Sequence, residues 1–192
     1  TALLMQTKDP VLANPKMRQA LAHAIDYQQL AAAVTEGLAQ PNNSIVPLVS
    51  PYHDAAQKQG WNYDPALAQK LLGEAGYKGQ ELTILTTKRY PQSYNSAVII
   101  QAMLQAVGVK AQLSVVEWAT QLDRYNAGTY QMMTFPYSAR LDAALNYEMV
   151  TGDKAKQPRK VWDNPAALKL IEAASADTDP AKRQASFDQL HK

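Results

Sequence analysis

Val109-Lys110-Ala111-Gln112-Leu113-Ser114-Val115 alternates apolar and polar side chains, the period of a strand with one face buried. Gly108 closes the stretch before it, Tyr94 to Val107, which is apolar nearly all round and predicts a helix covered on both sides. Upstream of that helix, Glu81 to Thr87 reads as a second strand. Downstream, Trp118, Leu122 and Tyr125 mark a helix ended near Gly128, and Tyr130 to Pro136 reads as a third strand. The order β-α-β-α-β predicts a largely parallel sheet with right-handed crossovers and helices against its faces, an α/β fold.

Working outward, residues 2–6 are apolar enough for a short strand. Asn14-Pro15 reads as an N-cap followed by a first-turn proline. Met17, Ala20, Leu21, Ala24 and Ile25 then fall on one face of a helix. Asp26 with Gln29 has the spacing of a capping box and predicts a second helix to about Gly37. Gln40 to Asn62 holds Pro41, Pro47 and Pro51 and keeps no period; irregular segments longer than ~12–15 residues are usually functional or mobile. Asp64-Pro65 opens a helix with Leu67, Leu71 and Leu72 on its buried side, closed by Gly76. Beyond the strands, Leu141 to Val150 reads as helical, and Asn164-Pro165 and Asp179-Pro180 each start a further helix.

A chain of 192 residues fits one domain or one large lobe, so residues 1–192 are expected to form a single unit. No apolar run approaches the roughly 18 residues of a membrane span. The net charge of +2 comes from interleaved acids and bases with no basic stripe, which argues against a nucleic-acid partner. Lys154 to Lys160, a short basic stretch broken by Ala155, Gln157 and Pro158, is expected to be a solvated loop. The absence of cysteine removes disulfides, thiol catalysis and thiolate metal sites. Thr1 to Thr7 is too short for a secretory leader, so the chain is either cytoplasmic or has lost its N-terminal part.

Open α/β sheets bind ligands outside the carboxyl ends of their strands. Here those ends carry Lys88, Arg89, Tyr90 and Tyr94, then Glu117 and Trp118, then Tyr137, Ser138, Arg140 and Asp142. Aromatic faces beside paired charges suit a zwitterion, with Arg forked onto a carboxylate and Asp taking an ammonium. The expected ligand-binding residues are Arg140, Asp142, Tyr137, Trp118, Tyr94 and Arg89. Plainer readings stand beside this. Arg140 and Asp142 also suit a surface ion pair worth ~0–1 kcal/mol. Trp118 and Tyr94 sit at helical spacings that also serve core packing.

No catalytic residue, metal site or cofactor is expected. His23, His53 and His191 lie far apart with no metal-ligand spacing, Gly73 and Gly76 belong to a helix rather than a phosphate loop, and no G-x-S-x-G elbow occurs. An enzyme reading, a small hydrolase or transferase, would rest on Asp142 and Glu117 as an acid–base pair.

Four phrases carry a family resemblance. Met17-Arg18-Gln19-Ala20-Leu21-Ala22-His23-Ala24-Ile25-Asp26 resembles a V-R-Q-A-L-x-x-A-I-D helix. Tyr63-Asp64-Pro65 through Gly76-Tyr77 resembles a Y-D-P-x-x-A-x-x-L-L-x-x-A-G-Y segment. Glu117-Trp118-Ala119-Thr120 is similar to a mid-lobe motif. Tyr137-Ser138-Ala139-Arg140-Leu141-Asp142 is similar to W-S-G-R-x-D, with Tyr137 for Trp and Ala143 where Pro often follows. In order and at matching spacing, they resemble the distal lobe of the extracellular solute-binding proteins, family 5, which serve peptide, dipeptide and nickel ABC importers.

The resemblance implies a periplasmic-binding-protein type II-like lobe and a location in the periplasm, or outside the cell on a lipid anchor. It implies capture of a peptide or similar small solute between two lobes, ABC permease subunits as partners, and an N-terminal lobe absent from this chain. Both chain ends would then be hinge crossings lying close together. It further implies that Asp142 takes a peptide's amino terminus and that Arg140 faces a carboxylate or backbone. A ligand-sensing receptor lobe would use the same architecture.

Overall fold

Each cap-and-proline signal becomes a helix start in the computed structural model, which describes residues 1–192. In chain order the elements are β1 (Ala2–Met5), α1 (Pro15–His23), α2 (Tyr27–Thr35), α3 (Pro65–Glu74), β2 (Leu82–Thr86), α4 (Pro91–Ala106), β3 (Ala111–Val115), α5 (Trp118–Ala127), β4 (Met132–Phe135), α6 (Ala143–Val150), α7 (Pro165–Ala176) and α8 (Pro180–His191). They group into two compact units. The first holds residues 1–41 and 61–137; the second holds residues 42–60 and 138–192.

In the first unit the strands lie in the order β1-β4-β2-β3. β2 pairs in parallel with β3 on one side and β4 on the other, as the alternating stretch and its neighbours predict, while β1 closes the edge antiparallel to β4. Leu82, Ile84, Ala111 and Met132 bury into a single core with Met17 and Leu21 of α1, Ala68 and Leu72 of α3, and Ala97, Ile100 and Leu104 of α4.

α4 departs from its sequence reading in two ways. It begins at Pro91, because a proline at the first helical position is already set for the helix. It is also not covered all round: Val98 is 39% exposed and Ala102 faces solvent, since small side chains tolerate exposure as readily as burial.

Asp26 caps α2 by accepting the Gln29 N–H at 2.9 Å, but the return bond from the Gln29 side chain does not form, so half of the box is present. Asp26→Ala is expected to lower stability by about 1 kcal/mol, read as a drop in the urea midpoint at constant slope. An unchanged midpoint would mean that water caps α2 equally well.

The second unit packs α6, α7 and α8 around Ala143, Tyr147, Ala167, Ile171, Ala174, Phe187 and Leu190. Residues 42–60 contain neither helix nor strand, yet Val46 and Gln57 are completely buried in this unit. Gln57 donates through Nε2 to Asp188 at 3.3 Å, so the irregular segment is structural filling.

The basic stretch is likewise not a solvated loop at its ends. Lys154 and Lys160 are each 4% exposed. The Lys160 ammonium donates to the Glu148 carbonyl, its stem lies over Gly152, and burial lowers its pKa. A Cβ on Gly152 would stand 2.9 Å from Lys160 Cγ, so the glycine makes room for this lysine.

Candidate functional site

In the first unit the carboxyl ends of the parallel strands gather rings. β4 delivers Phe135, and Tyr125 of α5 stacks on it with centroids 4.2 Å apart at 17°. Trp118, the first residue of α5, leans on the same ring at 5.7 Å, and Tyr137 lies 5.0 Å from it. Tyr90, at the end of the β2–α4 turn, meets Trp118 edge-on at 5.0 Å. The Tyr125 and Tyr137 hydroxyls are 3.2 Å apart.

Tyr125 and Phe135 are buried, whereas Trp118, Tyr137 and Tyr90 are half-buried. Trp118 packs one part of its ring on Phe135 and leaves another part open. Offset and edge-on ring contacts of this kind contribute about 0.5–1.5 kcal/mol each beyond area burial, which fixes the open rings in place. Gly128, at φ 67°, ends α5 and lets the chain turn into β4.

Two exposed cations flank the rings. The Lys88 ammonium lies 5.4 Å from the centre of the Tyr94 ring, and the Arg89 guanidinium lies 5.9 Å from that of Tyr90. The Thr87 hydroxyl accepts the Arg89 N–H at 3.3 Å and shapes the turn. Tyr94 is half-buried on α4 and touches none of the clustered rings. Glu117 is exposed at the N-cap of α5 and makes no side-chain cap. Elsewhere in this unit, Thr83, Leu85, Arg124, Thr129, Tyr130 and Gln131 line an open hollow of about 330 Å³.

In the second unit Arg140 is exposed and enters no ion pair. Asp142 is engaged twice. Its Oδ1 accepts the Ala144 N–H at 2.8 Å and caps α6. Arg183 of α8 places Nη2 at 2.6 and 2.8 Å from the two carboxylate oxygens. The expected alternative of an Arg140–Asp142 pair is therefore corrected: the partner of Asp142 is Arg183, whose guanidinium rests 5.0 Å from the Tyr52 ring centre and 5.7 Å from that of Phe187.

Asn146, 1% exposed, holds the turn's backbone. Its Oδ1 accepts the Arg140 N–H at 2.9 Å, and its Nδ2 donates to the Arg140 and Asp142 carbonyls, each at 3.0 Å. Asn146 and Arg183 were not among the sequence candidates. Neither stands at a strand end, and Arg183 lies 41 residues from the carboxylate it meets. Phe135 and Tyr125 were missed because each first reads as a packing residue; the repeated aromatic next to each strand end was the available signal.

Two of the three histidines face the backbone, and His53 Nε2 lies 3.0 Å from the Asn42 side-chain oxygen. His23 faces the Asn62 carbonyl and His191 the Gln59 carbonyl, each at 2.8 Å, and no three His, Cys, Asp or Glu side chains gather as a metal would need. No helix is long and apolar enough to cross a membrane.

Half-open rings and exposed cations thus gather at the carboxyl ends of a parallel sheet, in a fold of the periplasmic-binding-protein type II kind. Residues 1–157 match the bacterial extracellular solute-binding proteins, family 5 middle, and the chain belongs to that family. It is 36% identical over 105 residues to the glutathione-binding protein GsiB of Salmonella typhimurium, a match covering 54% of this chain and 20% of that protein. The dipeptide-binding protein of Pseudoalteromonas sp. SM9913, solved in complex with Met-Leu, superimposes with a TM-score of 0.85 at 27% identity, over 98% of this chain and 39% of the other. Brucella relatives match 95% of the chain at 29% identity, and the chain spans 37% of their length.

Proposed function

We propose that this chain is one ligand-binding lobe of the substrate-binding component of an ABC import system. It captures peptides or similar small solutes against a second lobe supplied by the rest of the protein. The closed form presents the solute to membrane permease subunits, in the periplasm or at the outer surface on a lipid anchor. The observation that carries this reading is the half-open ring set around Trp118, in a chain whose family is named for extracellular solute binding. GsiB and the Pseudoalteromonas protein, named for glutathione and for a dipeptide, support the peptide-like class.

The residues offered to a ligand are Trp118, Tyr137, Tyr94 and Arg89 in the first unit and the Arg140–Asp142 turn in the second, each group taken by itself. Aromatic faces cover the aliphatic parts of a solute while charged groups fix its polar ends. Closure then follows from the differential affinity of the ligand for the closed state. The acid–base reading loses support because Asp142 is already held by Arg183 and by the α6 N-terminus.

In the whole protein, Trp118→Ala is expected to weaken binding of the dipeptide Met-Leu by about tenfold or more, or ~1.4 kcal/mol, in a calorimetric titration. An affinity within a factor of two of the parent would remove Trp118 from the ligand face and leave it a packing residue.

A further inference from the structure

We propose that the Arg140–Asp142 turn selects a carboxylate on the ligand and does not serve as an ammonium site, with Arg183 the positioning residue that sets this preference. The inference rests on the solute-binding reading above and names the chemical class that this turn recognises.

A carboxylate has about four lone-pair positions to offer. Three are taken here: Asp142 Oδ1 accepts from Ala144 N–H and from Arg183, and Oδ2 accepts from Arg183. The charge is taken as well. The guanidinium lies against both oxygens, and like charges brought to one carboxylate disfavour each other. A ligand ammonium approaching Asp142 would meet Arg183 already seated.

Arg183 is not free to yield. Its side chain is 17% exposed and held over the faces of Tyr52 and Phe187. Withdrawing it would give up both bonds to Asp142 and both ring faces at once.

Arg140, two residues upstream, shows the converse pattern. Its backbone is fixed on both sides by Asn146, while its guanidinium is exposed and has no carboxylate partner. A fixed backbone carrying an unpaired planar fork suits bidentate capture of a carboxylate, because the fork matches the two oxygens and its anchoring point does not move. In the first unit the strand-end cations Lys88 and Arg89 are likewise without carboxylate partners, so that surface also favours an acidic group.

The test uses the whole protein and three probes in calorimetric titrations: Met-Leu, its N-acetyl form and its C-terminal amide. The parent is expected to bind the amide at least about tenfold more weakly than Met-Leu and the acetyl form within about threefold. In Arg140→Gln the penalty for the amide collapses to near unity, and Arg140→Lys restores part of it. Arg183→Gln releases Asp142, so the acetyl form, which lacks the ammonium, begins to lose affinity relative to Met-Leu; a merely structural role for Arg183 would weaken all three probes alike. An acetyl penalty in the parent that disappears in Asp142→Asn, with Arg140→Gln neutral, would overturn the inference and leave the transport reading standing. Failure of the parent to bind all three probes would overturn the peptide-binding reading and the inference with it.

Discussion

Phe187→Ala is expected to destabilise the second unit by about 3–5 kcal/mol, the range for removing a fully buried aromatic side chain. Phe187 is 0% exposed and central to the α6–α8 core. Its ring meets Tyr52 edge-on at 4.9 Å and stacks on Tyr147 at 6.0 Å and 9°. The substitution leaves a cavity that helices on three sides cannot collapse to fill. It also removes one of the two platforms under Arg183, so the brace on Asp142 loosens with the core. Trp162 packs against this core, whereas Trp61 and Trp118 belong to the first unit, so variants retaining one tryptophan separate the two units. The urea midpoint read at Trp162 should fall sharply. A shift of that midpoint worth less than about 1 kcal/mol would show that the core repacks around the gap, outside the range expected for such a site.

Asn146→Ala is expected to cost about 3 kcal/mol, because three hydrogen bonds from a buried amide are lost, each worth about 1 kcal/mol. The side chain is buried and makes all three bonds through its amide, and alanine has no polar atom to replace it. The functional consequence is separable from the stability loss. With the Arg140 backbone released, the guanidinium must be ordered by the ligand, and affinity falls through the entropy of fixing it. Faster amide exchange at Arg140 together with weaker ligand binding is the expected result. Unaltered exchange at Arg140 would show that the turn is held by other contacts.

The strands and helix starts were legible because their signals are local. The alternation in Val109 to Val115 needs only neighbouring residues, and Asn14, Asp64, Asn164 and Asp179 each reach a backbone N–H within three positions. The position of Trp118 and Tyr137 at the strand ends was legible for the same reason, since topology places them once the strands are known. What escaped the sequence depends on contacts between distant segments. Lys160 looks like a surface lysine until Gly152 and the Glu148 carbonyl are brought over it. Residues 42–60 look like a loose loop because their partners come far later in the chain, Asp188 of α8 lying 131 residues from Gln57. Asp142 reads as a free acid because nothing near it in the chain announces Arg183.

The central claim is that this chain holds part of a solute site, and native mass spectrometry of the whole protein, purified from its own cells without refolding, tests it most directly. The expected spectrum shows a second series displaced by one small molecule, released on activation and carrying a free carboxylate, and that series is depleted in the Trp118→Ala protein. A spectrum of empty protein alone, from a preparation that also shows no thermal shift with a peptide panel, would contradict the account.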